Sequence, residues 1–106
     1  MHTVANAFDF TTELVLDWEI EQIHEALNRG WVLFSRHALS ELFNDALTED
    51  EAIDAISFYD HVSKDLPGNS QRRAPGINFE GAAARGTLRV KVGWRGGYLV
   101  ITAMIL

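Results

Sequence analysis

The chain has 106 residues, of which 47% are hydrophobic, and its formal net charge at pH 7 is −6. A chain of this length is expected to fold as one domain that buries roughly two thirds of its unfolded surface. It contains no cysteine, which excludes disulfide bonds, thiolate metal ligands and a cysteine nucleophile.

The first sixteen residues show no clean hydrophobic period, and we predict an irregular arm over 1–16 followed by a single domain over 17–106. A first helix is predicted to begin at Asp17, which can cap free backbone amides, and to end at Gly30, just past its last turn. Its apolar stripe consists of Ile20, Ile23 and Leu27. The short apolar run that follows, 31–34, predicts an extended link or an edge strand.

Two more helices are predicted from capping residues and helical spacing. Ser35 is the expected N-cap of the second helix. Its apolar positions are Ala38, Leu39, Leu42, Phe43 and Ala46. Thr48 and Glu51 have the spacing of a capping box, in which each side chain accepts a hydrogen bond from the other residue's backbone amide. The third helix that they begin has a predicted buried face of Ala52, Ile53, Ile56 and Tyr59.

The remaining part of the chain has the composition of loops and strands. Prolines, glycines and polar residues over 64–76 predict a long loop. Ile77 and Phe79 alternate as in a short strand. Apolar residues then alternate with cations over 88–92, which predicts a strand with one buried and one solvated face. The glycine-rich segment 93–97 predicts a hairpin connection to an apolar, central strand over 98–105.

Helices followed by an antiparallel meander predict the α+β class. We expect two or three N-terminal helices packed on one face of a three- to four-stranded antiparallel sheet. Arg89 and Lys91 would then lie on the other face of that sheet.

Charge is distributed unevenly along the chain. Residues 1–66 have a formal balance of −11, whereas residues 67–106 have +5. A cationic sheet backed by anionic helices is therefore expected, which favours an anionic ligand or partner on the sheet. The net negative charge opposes sequence-independent attraction to nucleic acid, but a local basic face can still bind it.

The sequence also bears on location. No apolar run approaches the roughly 18 residues of a membrane span. The segment Met1–Phe10 lacks the basic region and continuous apolar stretch of a secretory signal. We therefore expect a cytoplasmic protein with no membrane partner.

Three short motifs occur in a fixed order along the chain. They are Ser-Arg-His-Ala-Leu at 35–39, Leu-Thr-Glu-Asp at 47–50 and Leu-Val-Ile-Thr-Ala at 99–103. In these motifs, and over roughly 17–105, the chain resembles the bacterial domain of unknown function family 4258. The resemblance implies a small α+β fold similar to that of the RelE and ParE toxins, with roles in RNA cleavage or toxin–antitoxin pairing.

The chain also departs from that family at several positions. Glu41 and Asp45 stand in the second helix where the family usually has arginines. Arg89 stands where a histidine is frequent in the penultimate strand, and Met104 stands where an aromatic residue is usual.

His37 is the candidate general base or acid, because it lies at a helix start where free amides and the dipole favour an anion. Metal-free RNA cleavage also needs groups that stabilise and position the phosphate. The predicted catalytic residues are His37, Arg89 and Thr102. The predicted substrate-binding residues are Arg36, Arg72, Arg73, Arg85, Lys91 and Trp94. Phosphate contacts come from the cations and base stacking from Trp94.

No metal ion or other cofactor is predicted, since no pair of histidines has tight ligand spacing. Each candidate also has a purely structural interpretation. His37 can make a local hydrogen bond, and Arg89 and Lys91 suit a solvated strand face. Trp94 can cover the core at a turn, and Thr102 is a good strand former.

Two functional interpretations therefore remain open. The first is a toxin-like, metal-independent ribonuclease, or a ribosome- or RNA-binding domain, that uses the cationic sheet and the helix-start histidine. The second is a non-catalytic protein–protein interaction domain, either an inactive relative or a toxin–antitoxin partner. In the second interpretation, Glu41 and Asp45 would face outward and bind a cationic protein.

Overall fold

The computed structural model of this protein describes residues 7–68 and 74–106. Within these ranges the chain forms, in order, α1 (Asp17–Asn28), β1 (Leu33–Phe34), α2 (Arg36–Asn44), α3 (Glu49–Ser57), β2 (His61–Asp65), β3 (Gly76–Ala83), β4 (Gly86–Trp94) and β5 (Tyr98–Ile105). The predicted α+β class is confirmed. Across the described residues, no helix has the length and apolar character needed to cross a bilayer.

The strands form one mixed sheet in the order β1-β5-β4-β3-β2. Strands β2 to β5 are antiparallel, as expected, but β1 pairs in parallel with β5 and adds an edge strand. In the described part of the chain, the observed sheet therefore has five strands, which is more than the three or four antiparallel strands that were predicted. It missed β2, because the segment 61–65 has a single apolar residue, Val62, and was partly assigned to a loop.

The helix starts follow local capping chemistry. The Ser35 hydroxyl accepts a hydrogen bond from the Ala38 amide at 3.0 Å, which confirms the predicted cap of α2. Thr48 and Glu51 form the predicted capping box at the start of α3. The predicted N-cap of α1, Asp17, was wrong by one residue, because the N-cap is Leu16. The Glu19 side chain accepts a hydrogen bond from the Leu16 amide.

The apolar faces of the helices agree only in part with the predicted stripes. On α2, Ala38 and Leu42 are buried, whereas Leu39 and Phe43 are exposed. The helix ends at Asn44, so the predicted core position Ala46 lies beyond it. The reason is that α2 lies beside β5, the last full-length strand of the sheet, and buries a narrower stripe than a helix that packs on the centre of a sheet face.

The core lies between α3 and the sheet. Leu88, Val90 and Val92 of β4 are fully buried, and across the ladder they face Ile105, Ala103 and Val100 of β5, respectively. The predicted buried face of this strand is thereby confirmed, but the predicted solvated face is not, because Lys91 is buried as well. A Cβ atom at Gly81 of β3 would lie 2.9 Å from the Cα atom of Ala55, so glycine lets α3 approach the sheet closely.

A buried ion pair attaches the N-terminal segment to this core. The Lys64 ammonium of β2 lies 2.8 Å from a Glu19 carboxylate oxygen of α1, and both side chains are fully buried. Lys64 also donates to the Asp9 carbonyl oxygen, and the second Glu19 oxygen accepts from the Asp9 amide. This charged pair therefore helps to hold residues 7–16, which contain no helix or strand.

Tyr98 provides a second attachment of the same segment. Its hydroxyl donates to the Ala7 carbonyl oxygen at 3.0 Å and accepts from the Gln22 amide nitrogen at 2.7 Å. Burial raises the pKa of Tyr98 above its ordinary value of 10.0. The hydrogen bond from Gln22 acts in the opposite direction, and the negative charge of Glu19 adds to the increase.

This raised pKa predicts an alkaline loss of stability. The stabilisation from neutral Tyr98 is complete below pH 10 and is lost as the pH rises through the higher pKa of the folded state. The variant Tyr98→Phe should unfold more easily at neutral pH by about 1 kcal/mol, because two hydrogen bonds are lost. Urea unfolding of both proteins between pH 7 and pH 11 checks this, and the difference between them should shrink above pH 10. A difference that is constant with pH would contradict the assignment.

Candidate functional site

A cleft of about 820 Å³ opens where the start of α2 meets the hairpin end of β4 and β5. We refer to it as the cleft. Of the residues predicted from the sequence, it is lined by Arg36, His37, Lys91, Trp94 and Thr102. Its lining also includes Arg95 and the aromatic side chains of Phe8 and Phe10, none of which was predicted.

Ser35 determines where α2 begins relative to the sheet. Its amide donates to the Val100 carbonyl oxygen at 2.9 Å, and its hydroxyl donates to the Ile101 carbonyl oxygen at 3.0 Å. The same hydroxyl caps the helix. One side chain therefore attaches the first turn of α2 to β5, which brings Arg36 and His37 to the rim of the cleft.

His37 lies at this rim with its imidazole largely in solvent. Its Nε2 atom lies 3.4 Å from a carboxylate oxygen of Glu41, one turn along the helix. The other Glu41 oxygen accepts from the Ala103 amide of β5 at 2.9 Å. The prediction that Glu41 faces outward is wrong, because its carboxylate satisfies a backbone amide at the edge of the sheet.

Lys91 and Thr102 face each other across β4 and β5 and form the floor of the cleft. The Lys91 side chain is buried, whereas the sequence predicted a solvated cation. Its ammonium pairs with the Asp65 carboxylate at 2.5 Å and donates to the Ala74 carbonyl oxygen at 3.1 Å. Lys91 thus joins the end of β2 to the segment that precedes β3, and the Asp65 carboxylate balances its charge.

Arg89 is not part of the cleft lining. Its guanidinium makes hydrogen bonds of 2.9 and 2.7 Å to one carboxylate oxygen of Glu80, its cross-strand neighbour on β3. Arg89 lies two residues from Lys91 on the same strand face, roughly 6–7 Å along the strand. The cleft reaches Lys91 but is not lined by Arg89.

Arg85, another predicted substrate-binding cation, is also not part of the cleft lining. Arg85 lines a separate, more open depression of about 460 Å³ together with Asp45 and Ile105. Asp45 is half-buried there, so the expected outward-facing pair of acids on α2 is not present. Arg72 and Arg73 lie outside the described residues.

Aromatic side chains form one end of the cleft. The Trp94 ring packs edge-on against Tyr98, with ring centroids 5.0 Å apart, and remains 47% exposed. Phe8 contacts both Tyr98 and Phe10 at centroid distances of 5.7 and 5.3 Å. Phe8 and Phe10 could not be predicted as lining residues, because the arm has no hydrophobic period. Arg95, next to Trp94 in the hairpin, could have been found from that adjacency.

The arrangement combines an exposed imidazole, cations and aromatic rings around one opening. Among residues 7–68 and 74–106, no three histidine, aspartate or glutamate side chains are grouped so as to hold a metal ion. Comparisons with family models, with curated proteins and with solved structures found no match for this chain. The resemblance to domain of unknown function family 4258 therefore stays a prediction.

Proposed function

We propose that this protein binds single-stranded RNA in the cleft and cleaves it with His37 as the general acid–base group. The observation that supports this most strongly is that His37, Arg36, Thr102 and Trp94 line one opening, although they come from separate parts of the chain. An imidazole beside cations suits phosphate chemistry, and an exposed indole suits an unpaired base.

The helix-start end of the cleft is the end that would take the phosphate. The first amides of α2 have no partner within the helix and point toward its positive end. The guanidinium of Arg36 adds a full charge beside them, and Arg95 adds another in the same lining. Two cations and a helix start can neutralise the charge of a phosphodiester and the further charge that develops in its transition state.

The chemistry needs one proton acceptor and one proton donor. His37 would take the proton of the ribose 2′-hydroxyl, whose oxygen then forms a bond to phosphorus. The bond from phosphorus to the 5′-oxygen breaks, and protonated His37 returns the proton to that oxygen. The products are a 2′,3′-cyclic phosphate and a 5′-hydroxyl, and Arg36 would stabilise the charge of the phosphorane between them.

RNA cleavage is tested with purified protein and an end-labelled single-stranded RNA in the presence of a chelator. A DNA oligonucleotide of the same sequence is the matched control, because it lacks the 2′-hydroxyl. We expect the protein to cut the RNA but not the DNA, with products that end in a 2′,3′-cyclic phosphate. Absence of cleavage, or equal cleavage of the DNA, would contradict the proposed reaction.

Base stacking on the exposed indole gives a prediction for binding. Replacing Trp94 with alanine should weaken binding of a 2′-O-methyl oligonucleotide, which cannot be cleaved, by about 1–3 kcal/mol. Trp31 is the matched control, because it is also exposed but is not part of the cleft lining and contacts Arg29 instead. Fluorescence anisotropy should show a weaker Kd for Trp94→Ala and an unchanged one for Trp31→Ala. Equal Kd values for all three proteins would exclude stacking at Trp94.

A different observation favours the second candidate function, a non-catalytic protein–protein interaction domain. Phe43 and Phe58 are 83% and 76% exposed at the ends of α2 and α3, and the first turn of α3 carries three acids. Such a surface suits a protein partner with basic and apolar side chains. This function predicts a stoichiometric complex that is lost in Phe43→Ser, together with no cleavage of RNA.

A further inference from the structure

The carboxylate of Glu41 connects the candidate general base to the backbone of the sheet. One oxygen accepts a hydrogen bond from the Ala103 amide at 2.9 Å, and the other lies 3.4 Å from Nε2 of His37. The two side chains are one helical turn apart on α2, where residues at this spacing face each other. Glu41 is mostly buried, whereas His37 is mostly exposed.

The sheet topology explains why Glu41 is fixed. Strand β1 is two residues long and pairs only with Leu99 and Val100 of β5. The Ala103 amide lies beyond the end of β1, so β1 supplies it with no carbonyl oxygen. Glu41 supplies the acceptor instead, and losing it would leave a buried residue's amide without its partner. The hydrogen bond from the Ala103 amide therefore holds the Glu41 carboxylate in place whether or not His37 is present.

We infer that Glu41 is a positioning residue, which holds the proton of neutral His37 on Nε2 and leaves Nδ1 as the nitrogen that accepts a proton. An exposed imidazole on a helix surface has several rotamers and two tautomers. A fixed carboxylate next to Nε2 favours the tautomer in which Nε2 is the donor. The catalytic consequence rests on the proposed ribonuclease function, but the tautomer can be measured without any substrate.

The variant Glu41→Gln tests the inference with little change in shape. Its amide oxygen can still accept from Ala103, so β5 keeps its partner. Its NH₂ group then faces His37 and can only donate, which requires Nε2 to be the acceptor and moves the proton to Nδ1. Asp45→Asn is the matched control, because it also removes one negative charge, at the C-cap of α2, but lies eight residues from His37 along the chain.

The measurement is the pair of imidazole ¹⁵N chemical shifts of His37 at a pH where the ring is neutral, assigned with the His37→Ala variant. We expect the Nε2–H tautomer in the parent protein and in Asp45→Asn, and a shift toward Nδ1–H in Glu41→Gln. The same tautomer ratio in all three proteins would overturn the inference.

Cleavage kinetics give a second measurement, because a purely structural role of Glu41 would not change kcat selectively. Glu41→Gln should lower kcat by less than the roughly 10²–10⁴-fold expected for removal of the imidazole itself, with little change in KM. If the parent protein cleaves no RNA, the proposed function fails, and the ¹⁵N shifts still decide whether Glu41 positions His37.

Discussion

Replacing Lys64 with methionine is expected to lower the free energy of unfolding by about 3–5 kcal/mol. The change leaves the Glu19 carboxylate fully buried without its cation. It also removes the ammonium that holds the Asp9 carbonyl oxygen. Because small domains are stable by only about 5–15 kcal/mol, this is a large share of the total. Urea denaturation followed by circular dichroism measures it directly.

A double variant separates the buried charge from the loss of side-chain packing. In Lys64→Met with Glu19→Gln, the amide removes the unpaired charge and keeps one acceptor oxygen for a backbone amide. We expect the double variant to be more stable than Lys64→Met alone, which is a strongly non-additive result. A loss below about 1 kcal/mol in the single variant would mean that the pair is solvated in the folded protein, contrary to its burial.

Replacing His37 with alanine is expected to lower the rate of RNA cleavage by about 10²–10⁴-fold. An imidazole can both take and return a proton, and His37 supplies the imidazole in the cleft lining. The side chain is largely exposed, so its loss should have little effect on folding. Initial rates and melting temperatures of the parent and variant proteins measure the two effects separately.

Arg89→Ala is the matched control for this prediction. In the parent protein, the Arg89 guanidinium pairs with Glu80 and is not part of the cleft lining. The cleavage rate should therefore change little in this variant. The sequence alone assigned Arg89 to the catalytic residues together with His37. An equal loss of rate in both variants would restore that assignment, and an unchanged rate in His37→Ala would eliminate the proposed role of the imidazole.

Much of the fold could be predicted because the features that determine it are local. Ser35 and the Thr48–Glu51 pair cap helices through contacts three residues apart, and the alternation over 88–92 defines two strand faces. Strand β2 could not be predicted in the same way. Its Lys64 is buried only because Glu19, in a helix far along the chain, supplies the opposite charge.

The site was predictable to the extent that it depends on motifs. His37 and Thr102 lie in two short motifs, and the hydrogen bonds of Ser35 to β5 bring those motifs together. Period-two alternation places Arg89 and Lys91 on the same face but does not indicate how far a cleft extends along a strand. Phe8 belongs to a segment without a period, so its position next to Tyr98 depends on tertiary contacts alone.

The most direct test of the proposed function is to locate the RNA on the folded protein. Backbone and indole NMR resonances are followed while a 2′-O-methyl oligonucleotide, which cannot be cleaved, is titrated into the ¹⁵N-labelled protein. We predict saturable shifts at His37, Thr102 and the Trp94 indole, with the Trp31 indole unchanged. Saturable shifts confined to α3 or to β3, or no saturable shifts, would contradict RNA binding in the cleft.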